Sequence, residues 1–195
     1  ATPLVSAATN GHLEVVDLLL EKDADVNLPG QNKTSPIRAA LQGGHSEVAE
    51  LLIRDGRFYV SSNDWTPLNS AAGQGFLKVV RLLLQKGADL NKRDANECTA
   101  LYLASANGHD KVVKRLLSEA ERRKADPNEL IKSLEIAPAS GVTPLIAAAT
   151  EGHSQVVRLL LDKGTNLDAV GEGKETALKG AIKNGHADVI KLLYD

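Results

Sequence analysis

Several residue types that mark particular classes of protein are scarce in this chain. There is one cysteine in 195 residues, which excludes an internal disulfide framework and fits a reducing compartment. A single cysteine also leaves no cysteine pair for zinc binding or redox chemistry. Aromatic residues make up 3% of the chain, and no apolar run approaches the length of a membrane span. The composition therefore argues against a disulfide-rich secreted scaffold and against a membrane-spanning protein.

The chain also lacks a large net charge. Its formal net charge is -2, so no overall field favours nucleic acid or an acidic membrane surface. One basic cluster can be interpreted as a solvated helix face or as a contact for an acidic partner or nucleic acid, but it has no interleaved aromatics for base stacking. Its members are Lys111, Lys114, Arg115, Arg122, Arg123 and Lys124.

The stretch 143–168 shows how the chain is built. Thr143 followed by Pro144 is typical of a helix start, because the hydroxyl can cap free N–H groups and Pro suits the first helical position. A short Ala-rich helix is then predicted to end at Gly152, before a second helix with Val and Leu at three-and-four spacing. The first helix is too short to bury the apolar face of the second, so the hairpin needs neighbours on both sides.

Imperfect copies of this stretch begin near residues 2, 35, 66, 99, 143 and 176. The recurring pattern T-P-L-x-x-A-A-x-x-G-H, then V-V-x-L-L-L, then G-A-D-x-N resembles the ankyrin repeat. The resemblance implies an all-α solenoid of stacked helix-turn-helix units, with β-turn fingers and a concave binding face. We expect a single ankyrin-repeat domain over residues 1–195. Because the chain has no Met and begins inside a repeat, we expect a monomeric fragment of a longer chain, from an intracellular, cytoplasmic or nuclear protein.

All the histidines occupy one position of the repeat, directly after a glycine between the two helices. Such a position explains each of them structurally, and a spacing of about one repeat is too large for a shared metal site. No histidine remains for a catalytic triad with a serine or with Cys98. We therefore predict no catalytic residue, no cofactor and no metal site. The five are His12, His45, His109, His153 and His186.

The fourth and fifth repeats are separated by an insertion at about residues 119–140. Four of its residues correspond to about one helical turn, so the outer helix of the fourth repeat is predicted to continue through 121–123. Leu130, Ile131 and Leu134 share one face of the remainder, which predicts a short extra helix. Two interpretations stay open: the insertion folds back on its neighbour, or it contacts a partner.

Aromatic residues are the better indication of a binding surface, since interfaces favour them as anchors. All but Tyr194 fall within repeats two to four. In ankyrin repeats the position of Trp65 commonly faces the concave side. Phe58 and Tyr59 lie where the regular turn is missing, and either fill that space or contribute to binding. The predicted partner-binding residues are Trp65, Tyr102, Arg38, Asn69, Asn63, Asp64, Asn96, Glu97, Gln74 and Asn107.

The histidine that often follows T-P-L in the family is replaced in every copy. The replacements are Val5, Arg38, Asn69, Tyr102, Ile146 and Lys179. They remove a repeated polar contact between neighbouring loops and diversify a row of side chains, as recognition would require.

Two functions follow from this pattern. The first is a non-catalytic module that binds a partner protein or peptide, but not nucleic acid, through the concave face. The alternative is a structural or regulatory spacer in a larger multidomain protein, with the same surface docking intramolecularly.

Overall fold

The computed structural model describes residues 2–30, 33–59, 66–123 and 127–194. Within these ranges the chain forms thirteen α-helices and no β-strand. The helices are α1 Pro3–Thr9, α2 Leu13–Glu21, α3 Pro36–Gln42, α4 Ser46–Arg54, α5 Pro67–Gly73, α6 Leu77–Gln85, α7 Ala100–Ala106, α8 Asp110–Arg123, α9 Pro127–Leu134, α10 Pro144–Thr150, α11 Ser154–Leu161, α12 Ala177–Lys183 and α13 Ala187–Tyr194. A short 3-10 turn covers Glu172–Lys174.

The first helix of each pair starts where the local chemistry predicts. The Thr143 hydroxyl accepts a hydrogen bond from the backbone N–H of Ile146 at 3.3 Å, and Pro144 takes the first helical position. Thr66 is the exception, because its buried hydroxyl has no partner among the described residues. The same capping bond is made by Thr2, Ser35, Thr99 and Thr176.

The helices stack in two rows. The inner row is α1, α3, α5, α7, α10 and α12, and the outer row is α2, α4, α6, α8, α11 and α13; each helix contacts the next one in its row and its own partner. Small buried side chains such as Ala8, Ala72 and Ala149 let the inner row pack closely, while Val and Leu from the outer row complete a ribbon-shaped core. The predicted all-α stack of helix pairs is confirmed.

The insertion folds back on the fifth repeat. Helix α8 runs through Arg123 and α9 follows it, as predicted. Leu134 is buried in the core, and the backbone N–H of Asn166 donates to Glu135 Oε1 at 2.6 Å. Lys163 Nζ donates to Glu121 Oε1, also at 2.6 Å. These contacts favour a structural role for the insertion over a free partner-contacting element.

The basic cluster is only partly a solvated face. Lys111 and Lys114 are exposed, but Arg115, Arg122 and Arg123 all pair with Glu119, whose side chain is 2% exposed. Arg123 also donates to the carbonyl oxygens at the end of α6 and just beyond it. Arg123 therefore fastens the extended helix to the preceding repeat, while Lys124 lies outside the described residues.

The two aromatic residues that follow α4 lie in different environments: one is buried and the other is exposed. Phe58 is buried in the core, as expected if it fills the space left by the shortened finger. Tyr59 is exposed, and its backbone N–H donates to Asn27 Oδ1 at 3.4 Å. Phe58 is thus a packing residue, while the Tyr59 ring stays at the surface.

Candidate protein-binding surface

The inner helices end in a row of exposed or half-exposed residues that we call the inner-end row. It consists of the last residue of each inner helix and the residue after it. The members change from repeat to repeat although the interior beneath them is mostly alanine. They are Thr9 and Asn10, Gln42 and Gly43, Gly73 and Gln74, Ala106 and Asn107, Thr150 and Glu151, and Lys183 and Asn184.

Four exposed amide side chains in this row are oriented alike. Asn10 Nδ2 donates to Ser6 O at 2.9 Å and Asn107 Nδ2 donates to Leu103 O at 2.9 Å. The other two reach the preceding repeat: Gln74 Nε2 donates to Leu41 O at 2.8 Å, and Asn184 Nδ2 donates to Thr150 O at 3.0 Å. Because a carbonyl only accepts hydrogen bonds, each amide nitrogen faces inward. Each amide oxygen is therefore left as an acceptor at the surface.

The finger between the third and fourth repeats presents two of the predicted residues. Asp94 N donates to Cys98 O at 3.0 Å, and Asp94 Oδ1 accepts from the N–H groups of Asn96 and Cys98, both at 2.9 Å. These bonds close a tight turn in which Glu97 has a φ of 60°. Asn96 and Glu97 are consequently held exposed at the tip. The fingers at 30–34 and 171–175 are closed by the same backbone hydrogen bond, from the N–H of the first residue to the carbonyl oxygen of the fifth.

Asn69 does not belong to the binding surface, and its prediction as a contact residue is wrong. Its side chain is 1% exposed. Asn69 Nδ2 donates to Lys92 O at 3.0 Å and to Cys98 O at 2.7 Å, so it joins α5 to the next finger. The neighbouring Cys98 is also buried, and burial, helped by Asp94, raises the pKa of its thiol. The thiol is thus kept protonated and unreactive.

Tyr102 lies half-buried on α7. Burial, with smaller effects from Cys98 and Glu151, raises the pKa of its phenol, so the hydroxyl is a neutral group at physiological pH. Helices α5 and α7 are neighbours, and the end of α5 at Gly73 and Gln74 lies close to Asn107 at the end of α7. Arg38 is half-buried on α3. Trp65, Asn63 and Asp64 fall outside the described residues.

Four histidines make structural contacts between repeats, as predicted. Each Nε2 lies close to a carbonyl oxygen at the end of the preceding inner helix, which requires the proton on Nε2. The distances are 3.0 Å for His45 to Thr9 O, 2.9 Å for His109 to Gly73 O, 3.1 Å for His153 to Ala106 O and 2.9 Å for His186 to Thr150 O. Their rings are therefore committed to holding the stack together.

In the described part of the chain, no group of three or more His, Cys, Asp or Glu side chains is arranged to hold a metal ion. No helix there has both the length and the apolar character that crossing a bilayer requires.

Comparison with known proteins gives a consistent result. The sequence model of the family described as ankyrin repeats matches in three copies, over residues 1–61, 57–130 and 123–195. The Ankyrin repeat and KH domain-containing protein mask-1 of Caenorhabditis elegans is 33% identical over 194 residues, which is 100% of this chain and 7% of the relative. The E3 ubiquitin-protein ligase XBAT32 of Arabidopsis thaliana is 32% identical over 189 residues, covering 86% of this chain and 37% of the relative.

A solved structure agrees with these sequence matches. The crystal structure of an ankyrin repeat domain from Acinetobacter baumannii AYE has a TM-score of 0.78 and 25% sequence identity, and the match covers 98% of this chain and 96% of that one. The sequence relatives above are much longer, and the chain spans less than two-fifths of their length.

Proposed function

This chain belongs to the ankyrin repeat family, whose fold is generally a protein-interaction module, and we propose that it binds a partner protein or peptide through its inner face. This face combines the inner-end row with the finger at 94–98. The observation that carries the proposal is the repeated orientation of Asn10, Gln74, Asn107 and Asn184, whose amide nitrogens are used internally. A surface of amide oxygens is complementary to N–H donors, such as those along an extended peptide backbone.

The amide side chains of this surface are also preorganised for binding. Each amide is fixed by a hydrogen bond to the scaffold, so little side-chain freedom remains to be lost when a partner binds. The half-buried Tyr102 offers an aromatic surface on the same helix that ends at Asn107, and aromatic residues dominate the energetics of many interfaces. We therefore place the centre of binding on α5 and α7, with Asn96 and Glu97 at one border and Arg38 at the other.

Hydrogen bonding, rather than net charge, should attract the partner at this centre. The inner-end residues of the first four repeats carry no charged side chain. Affinity for an uncharged peptide should consequently change little with salt, since screening acts on charged groups.

Peptides selected from a random displayed library against the 195-residue chain provide a direct test. Tyr102→Ala and Asn107→Ala should each weaken binding of the selected peptides, by about tenfold or more for the tyrosine. Lys111→Ala is the matched control, because this exposed residue lies on the outer helix of the same repeat, and it should leave affinity unchanged. Circular dichroism establishes that the variants are folded. Equal affinity of all three variants and the wild type would exclude the inner face as the binding site.

Trp65→Ala tests the sequence-based choice of anchor in the same assay. We predict weaker peptide binding with unchanged helical content. An unchanged affinity would show that Trp65 is not part of the binding surface, and Tyr102 would then be its central aromatic residue.

The alternative function is intramolecular docking in a longer protein. It is supported by the fact that the chain spans 7% and 37% of two of its relatives. In that case, hydrogen exchange of the inner face should slow when flanking sequence is attached. An unchanged exchange pattern would exclude it.

A further inference from the structure

The outer helices carry two rows of exposed or half-exposed polar side chains. The rows are formed by the second and fifth residues of each outer helix, which lie about one turn apart on the same helix face. In α2 and α4 these positions hold only carboxylates: Glu14, Asp17, Glu47 and Glu50. In α6, α8 and α11 they hold a glutamine and five cations, which are Lys78, Arg81, Lys111, Lys114 and Arg158. Opposite charges are thus separated on this surface, although the net charge of the chain is only -2.

The five cations form one continuous surface, which we call the basic outer patch. Helix α6 contacts α8, and α8 contacts α11, so the cations lie on three neighbouring helices. All five are exposed, and none of them makes an ion pair with a described residue. Other cations nearby are paired, since three arginines of α8 contact Glu119 and Lys163 contacts Glu121. The described part of the chain therefore does not neutralise the basic outer patch.

The basic outer patch does not stabilise the fold. Lys78 and Arg81 are like charges one turn apart, and so are Lys111 and Lys114; such pairs slightly destabilise a helix. Residues 77–85, 110–117 and 154–161 together contain a single carboxylate, Asp110. The patch is thus a source of repulsion that a negatively charged partner would relieve.

The borders of the patch favour a short partner over an extended one. On one side α6 contacts α4, where Glu47 and Glu50 occupy the same two positions. On the other side α11 contacts α13, where the two positions hold Asp188 and Lys191. A long nucleic acid or an anionic membrane surface would overlie the carboxylates of α4 and be repelled. The three helices of the patch also have no aromatic residue for base stacking.

We propose that the basic outer patch binds an acidic segment of a partner protein, rich in Asp and Glu. The carboxylates of the segment pair with the exposed lysine and arginine side chains, and salt weakens these contacts because both partners are solvated. The patch lies on the outer helices, whereas the proposed peptide-binding surface lies on the inner ones. This inference therefore does not depend on the proposed function of the inner face.

Fluorescence anisotropy of a labelled oligoglutamate peptide, mixed with the 195-residue chain, tests the proposal. The wild type should bind at low salt, and its affinity should fall as salt is added. Arg81→Glu and Lys114→Glu should each weaken binding about tenfold, because each replaces an attraction by a repulsion at an exposed site. Lys22→Glu is the matched control, since it makes the same change in net charge at an exposed lysine just beyond α2. Its affinity for the peptide should stay close to that of the wild type.

Glu47→Lys gives the most specific result. It extends the basic outer patch onto α4 and should therefore tighten binding of oligoglutamate. An unchanged or weaker affinity would contradict the border at α4 and overturn the proposal. All the substituted side chains are exposed, and circular dichroism establishes that the variants are folded.

Three other outcomes would also overturn it. One is a wild-type chain that does not bind oligoglutamate at low salt. Another is an equal loss of affinity in Lys22→Glu and Lys114→Glu, which would show that only the net charge matters. The third is tighter binding of a DNA duplex or of phosphatidylserine vesicles than of oligoglutamate, lost in Arg81→Glu and Lys114→Glu. That result would assign the patch to nucleic acid or to a membrane surface rather than to an acidic protein segment.

Discussion

Replacing Glu119 with glutamine should destabilise the junction between the third and fourth repeats. The carboxylate is 2% exposed and pairs with three arginines; Arg123 Nε lies 2.7 Å away and Arg115 Nη2 lies 3.2 Å away. Arg123 in turn donates to Ala88 O at 2.9 Å and Leu84 O at 3.3 Å. Glutamine removes the negative charge and leaves the arginine cluster uncompensated. We expect a loss of about 2 kcal/mol in the free energy of unfolding, since the arginines are partly solvated.

The effect should also depend on pH. Hydrogen bonding from Arg122, followed by Arg123 and their charges, lowers the Glu119 pKa from an ordinary 4.5 to about 2. A carboxyl group whose pKa is lower in the folded state contributes its full stabilisation above the unfolded pKa and loses it as the pH falls through the folded value. The difference between wild type and Glu119→Gln should therefore be constant near neutral pH and shrink between about pH 4.5 and pH 2.

Urea denaturation followed by circular dichroism at several pH values measures this difference. Glu121→Gln is the matched control, because it also removes a carboxylate from the end of α8 and breaks a 2.6 Å pair with Lys163. That pair is partly exposed, so its loss should cost less than about 1 kcal/mol. Equal effects of the two substitutions, or a Glu119 effect that does not change on acidification, would refute the assignment of Glu119 as the buried centre of the arginine cluster.

Three further substitutions test the packing of the repeats in the same denaturation assay. Gly152→Ala should lower the free energy of unfolding by about 2 kcal/mol more than Gly185→Ala does. Both glycines have a positive φ, but an added Cβ at 152 would lie 2.5 Å from the His186 ring, whereas the space at 185 is open. Equal losses for the two substitutions would contradict the close approach of His186 to Gly152. Ser105→Ala should stabilise the chain by about 1 kcal/mol, since its hydroxyl is buried with no partner in the described chain, and a loss of stability would indicate a hidden hydrogen bond. Asp23→Gly should also stabilise by about 1 kcal/mol, because a left-handed φ of 61° costs aspartate more than glycine; a neutral result would show that the turn is not strained.

Features that depend on local chemistry could be predicted from the sequence. The Thr-Pro helix starts follow from a bond that spans three residues, as between Thr143 and Ile146. The continuation of α8 through Arg123 follows from the length of one helical turn, which preserves the packing register. The short helix α9 follows from the apolar spacing of its own residues. None of these requires knowledge of a distant contact.

Features that depend on distant contacts were predicted poorly. Asn69 was expected at the surface, but the finger at 92–98 encloses it, and that finger lies more than twenty residues further along the chain. The basic cluster can be interpreted from the sequence as a solvated helix face, but Arg123 pairs with the buried Glu119 and donates to carbonyl groups 35 and 39 residues before Arg123 itself. Ordinary charged residues that follow one another on a helix give no sign of which of them another repeat will cover.

The third repeat shows why divergence from a repeat pattern is an ambiguous sign of recognition. Phe76 replaces the histidine that ties a repeat to its predecessor, yet the tie is kept, because Gln74 Nε2 donates to Leu41 O at 2.8 Å. Asn69 likewise restores a polar link to the following finger. Of these two residues, Asn69 is buried by its contacts and only Gln74 remains exposed. A divergent side chain can therefore contribute to binding only with the polar atoms that the stack has not already used, which for Gln74 is the amide oxygen.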